Sequence, residues 1–72
     1  MTIMNRWELW ADMARRMDTS TLQDALRDAI CTAFAMDALD RATPLERGCR
    51  AGKYRDQCSV YRQELKRRGV KA

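Results

Sequence analysis

Seventy-two residues with 46% hydrophobic and 33% charged side chains, no histidine and a net charge of +4 describe one small domain with a thin core. A chain of this size buries only about 60% of its unfolded surface, so its stability is marginal unless disulfides, a metal, idealised helix packing or a partner chain supplements it. Three cysteines (Cys31, Cys49, Cys58) without a CxxC pair, and the missing histidine, argue against a disulfide or metal framework. They favour a reduced, cytoplasmic setting with Cys58 as a small core residue.

The N-terminal MTIMNRWELW has no long apolar run and meets charge at Arg6 and Glu8, unlike a secretory signal. No segment has the length to cross a bilayer, so no membrane partner is expected. Asn5-Arg6-Trp7-Glu8 reads as a capping box, with Met4 and Leu9 placed as a hydrophobic staple around it. Trp7, Trp10, Ala14 and Met17 then share one face, which predicts a first helix over about 6–17. Asp18 to Thr21 offers several caps for the next helix, Ser20 with Gln23 among them.

A second helix is predicted over about 21–42. Leu22, Ala25, Leu26, Ala29, Ile30 and Ala33 form its first apolar stripe, which widens after Ile30 to take in Cys31, Phe34, Ala35, Met36, Ala38 and Leu39. A helix apolar nearly all round is normally the central one, touched on several sides. Thr43-Pro44 ends it, because the residue before proline is pushed out of helical geometry.

The third helix is predicted over about 44–68, opened by the box Thr43-Pro44-Leu45-Glu46 and carrying Ala51, Tyr54, Cys58, Tyr61 and Leu65 on one seam. Gly48 and Gly52 each cost roughly 1 kcal/mol in a helix interior, so a second form has a break near 48–52. Gly69 ends the helix, leaving Val70 to Ala72 frayed. The expected fold is all-α: a small three-helix bundle, a short N-terminal helix packed on an antiparallel hairpin.

Several residues invite a functional reading. Gly48 to Tyr54 resembles a phosphate loop but is one residue short, has Tyr54 where Ser or Thr should hold magnesium, and follows no strand. Gly48 and Gly52 instead mark either a helix break or a smooth patch for a second chain. Asp37 and Asp40 fall on the arc of the core residues. An ion pair with Arg41, Arg47 or Arg50 that fastens the hairpin end explains them better than acid–base chemistry, which lacks a histidine or a third acid. Trp7 and Trp10 serve as core anchors or, with Met4 and Met13, as an interface. No catalytic residue, cofactor or metal site is expected.

Charge is unevenly placed. Residues 1–46 hold five Lys or Arg against eight Asp or Glu, a net of −3, while residues 47–72 hold nine against two, a net of +7. Arg50, Lys53, Arg55, Arg62, Lys66, Arg67 and Arg68 form the basic set from which protein-partner or nucleic-acid contacts are expected. No helix-turn-helix spacing, zinc finger or stacking platform accompanies them, and Tyr54 and Tyr61 fall on the inward seam.

In size, arginine-rich helices and absence of catalytic motifs, the whole chain resembles the small accessory proteins carried by phages and other mobile elements, anti-CRISPR and other anti-defence inhibitors among them. That resemblance implies a non-enzymatic interaction module, inhibitor or adaptor, acting on a host protein or protein complex. The alternative is a DNA- or RNA-binding protein using the basic C-terminal helix. A homodimer is a third expectation.

Overall fold

The computed structural model describes residues 5–70. It forms three helices, α1 (Arg6–Arg16), α2 (Thr19–Ala42) and α3 (Ala51–Arg67), so the all-α, three-helix expectation holds. Asn5 caps α1 as the sequence predicts. Its side chain accepts from the Glu8 amide at 2.8 Å, and Glu8 reaches back to the Asn5 amide at 3.4 Å. Met4, the other half of the expected staple, lies outside the described residues. α2 begins two residues earlier than predicted because Asp18, not Ser20, is its cap, accepting from the Thr21 amide at 2.7 Å.

The third helix departs most from expectation. Thr43 closes α2, its amide donating to Leu39 O at 2.7 Å, and residues 44–50 are not helical. Gly48 adopts φ +70°, a left-handed geometry that ends any helix begun at Pro44. The glycines therefore mark a break: Gly48 sits in the loop and Gly52 in the first turn of α3, so the two do not stand four apart on one helix. A Cβ on Gly52 would stand 3.3 Å from Cys49 Sγ. At the far end Gly69, φ +79°, completes a Schellman motif, with Gly69 N–H on Lys66 O at 3.0 Å and Val70 N–H on Leu65 O at 2.9 Å. Val70 is thereby tied down against the core rather than frayed.

The arrangement is the predicted one, a short N-terminal helix packed on an antiparallel hairpin, but its central helix is not the predicted one. α3, not α2, is the shared element: it packs along both other helices, which barely meet each other. Asp37 reaches Arg55 while Thr19 reaches Arg68, so α2 and α3 are antiparallel. Arg6 reaches Asp56 while Ala14 reaches Arg68, so α1 runs parallel to α3. The core comprises Trp10 and Ala14 from α1, Leu22, Leu26 and Ala29 from α2, and Cys58, Val60, Tyr61 and Leu65 from α3. The Cα trace measures 37 × 35 × 14 Å, a layer one helix thick. Its radius of gyration, 13.6 Å, exceeds the roughly 11 Å of a compact chain this long.

Candidate interaction surface

Four of the seven basic residues singled out in the sequence form ion pairs within the fold. Arg50 donates to Asp40 Oδ1 at 3.1 Å and to Thr43 O at 2.8 Å. The Asp40 carboxylate also accepts the amides of Arg50 at 3.0 Å and Ala51 at 3.1 Å. Arg50, at the α3 cap position, provides no side-chain cap of its own, so an anion from α2 caps α3 across the hairpin. Burial pushes the Asp40 carboxyl up, but the two amides and the Arg50 guanidinium outweigh it and hold the group below its ordinary range.

Arg68 fastens the opposite end. It donates to Glu64 at 2.8 Å and, across the molecule, to Met17 O at 2.7 Å, Ala14 O at 3.0 Å and Thr19 Oγ1 at 3.3 Å. A cation thus sits on the last carbonyls of α1, at the corner where the chain turns into α2. Buried Glu64 also accepts two bonds from Arg67, at 2.6 and 2.9 Å. Those bonds, with Arg68's, hold Glu64 down at about 2.

Asp37 bridges Arg41 at 2.9 Å and Arg55 at 2.6 Å. Asp37 and Asp40 thus fasten the hairpin end as their spacing suggested, with Arg50 and Arg55 rather than Arg47 as partners across the turn. Lys53 lies 5.7 Å from the centroid of the Tyr54 ring. Arg62 and Lys66 make no ion pair among the described residues. Trp10 is buried under the Arg6 guanidinium and meets Trp7 edge-on at 6.2 Å, whereas Trp7 is half exposed.

The residue that sequence reasoning missed is Phe34, 78% exposed in the middle of α2. It lies in a groove between α2 and α3 with Ile30 and Arg41 on one wall and Arg55, Ser59 and Arg62 on the other. Three arginines against the single carboxylate of Asp37 leave this groove with a net charge of +2 (three minus one). An aromatic side chain ringed by guanidinium groups combines the residue types enriched in binding hot spots. The signal was present in the sequence as the widened apolar face of the second helix, but that face reads equally well as contact inside one chain.

Among the described residues no three His, Cys, Asp or Glu side chains gather as a metal site would need, and no helix is long and apolar enough to cross a membrane. Cys31 and Cys49 are exposed thiols, and burial raises the pKa of the Cys58 thiol. No family model, curated protein or solved structure matches this chain.

Proposed function

We propose that this protein is a non-enzymatic interaction module, an inhibitor or adaptor that seats an acidic protein surface on the α2–α3 groove with Phe34 as its anchor. The observation that carries this reading is the exposure of Phe34 among Arg41, Arg55 and Arg62. Burying a phenylalanine side chain in a partner's pocket contributes about 1.5–3 kcal/mol, gain that the free chain forgoes. Arg62, which makes no ion pair among the described residues, pairs with a partner's carboxylate in a planar, two-bond geometry. Arg41 and Arg55, both held on Asp37, keep the groove net positive and repel basic competitors. Size and arginine-rich helices extend the reading to an accessory protein of phage or mobile-element type that occupies a host protein complex.

Direct DNA or RNA binding by the basic C-terminal helix is the competing reading. It draws on Arg62 and Lys66, but Arg50, Arg67 and Arg68 have carboxylate partners within the fold, which weakens the field available to a phosphate backbone. Capture from nuclease-treated and untreated host lysate, with wild type beside Phe34→Ala and Arg62→Glu, separates the two. The proposal expects the same protein in both halves and its loss with either variant. A bound set that vanishes with nuclease, or survives Phe34→Ala unchanged, overturns it.

A further inference from the structure

α1 does not cover the groove that holds Phe34. In a compact three-helix bundle the third helix lies in the trough between the other two. Here α1 lies beside α3 and barely meets α2, so the α2–α3 trough stays open. Its walls follow helical spacing: Ile30, Phe34, Asp37 and Arg41 succeed one another at steps of three and four along α2, as Arg55, Ser59 and Arg62 do along α3. The floor between them is small, with buried Ala33 facing buried Cys58. From Ile30 to Arg41 the groove runs about 16 Å, or three helical turns. α2 also offers an exposed apolar ridge through Phe34, made with Cys31, Ala35 and Ala38. No charged side chain interrupts that helix from Ala29 to Met36.

Resting on the reading of this groove as the docking surface, we propose that its occupant is an acidic amphipathic helix of a partner protein, about three turns long, lying along α2 and α3 where a bundle's third helix would pack. Backbone chemistry chooses a helix over an extended segment. The amides and carbonyls of α2 and α3 are spent within their own helices, so a strand laid between them would find no backbone partner and would lose its bonds to water. A helix brings its backbone bonds with it, and the small floor residues let it approach closely. Charge chooses the composition. The groove's net charge of +2 (three minus one) favours an acidic helix, and Arg62 stands ready for a carboxylate at the Ile30 end. Apolar residues of the incoming helix, three and four apart, cover Phe34 and Ala38.

Selection from a displayed library of random peptides, about 16 residues long to allow three turns with flanks, tests the proposal. The full chain serves as bait, with Phe34→Ala and Arg62→Glu chains in parallel. Enriched sequences are expected to space apolar residues three and four apart, to carry net negative charge and to lack internal proline. A synthetic peptide of the leading sequence should gain helicity on mixing, read by circular dichroism beyond the sum of the separate spectra. It should bind Phe34→Ala about 10- to 100-fold more weakly. Enrichment that depends on Phe34 but alternates every second residue, or a peptide bound with no gain in helicity, overturns the helix and leaves the groove as a docking surface. No enrichment on any bait overturns the helix likewise, while the lysate capture still decides the docking role. Peptides enriched equally on all three baits overturn both.

Discussion

Phe34→Ala separates an interaction residue from a core residue by energy alone. A phenylalanine truncated inside a packed core costs about 3–5 kcal/mol. Phe34 is 78% exposed, so at most about a fifth of its side chain is removed from water by folding. Scaling the roughly 1.5–3 kcal/mol of full burial gives a loss of only about 0.3–0.7 kcal/mol. Alanine's better helix propensity returns roughly 0.5 kcal/mol at a mid-helix position, and the net is near zero. Leu65→Ala is the matched control: Leu65 is fully buried, and its truncation should cost about 2–5 kcal/mol, enough to unfold much of so small a chain. Urea denaturation followed by circular dichroism measures both. A Phe34→Ala loss above about 1.5 kcal/mol would mean that the ring is packed within the chain in solution, and the interaction surface would then have to be sought elsewhere.

Removing the Arg68 clasp should be expensive for a residue so near the C-terminus. Arg68→Met is expected to lower stability by roughly 2–3 kcal/mol, with Arg68→Lys rescuing little because an ammonium cannot span the same acceptors; a urea midpoint equal to wild type would refute the role. Acid should loosen the same corner. Glu64's pKa is depressed from 4.5 to about 2, so its contribution is complete above its ordinary range and is lost as pH falls from 4.5 through about 2. Asp40, also depressed, adds in the same direction. Thermal melts at descending pH should show this, and Glu64→Gln should flatten the acid limb; an unchanged limb contradicts the assignment. Gly69→Ala, forced into φ +79°, should cost about 1–2 kcal/mol by the same denaturation assay, and a neutral result would mean that the Schellman turn is not formed in solution.

Local signals in the sequence were legible where the responsible atoms are local. The Asn5–Glu8 box, the stop at Thr43-Pro44 and the glycine end at Gly69 each involve residues only a few positions apart. The start of α3 was half legible: Gly48 and Gly52 pointed to a break near 48–52, but Thr43-Pro44-Leu45-Glu46 has every local mark of a helix opening. What decides against it is Gly48 in a left-handed conformation, together with a cap delivered by Asp40 from the neighbouring helix. The central position was misassigned for a related reason. Apolar width along α2 measures all the burial that helix will undergo, against its own chain and against others alike. The same ambiguity hid Phe34: nothing in its spacing distinguishes a buried aromatic from an offered one. The basic residues show the converse limit, since sequence counts charges but not the carboxylates of Asp37, Asp40 and Glu64 that neutralise them.

The most direct measurement of the interaction surface is a hydrogen-exchange footprint of the protein, free and bound to the partner captured after nuclease treatment. Slowed exchange is expected in the segments 30–41 and 55–62 that line the Phe34 groove. Slowed exchange confined to residues 64–70, with the groove unchanged, would contradict the role assigned to Phe34 and its arginines.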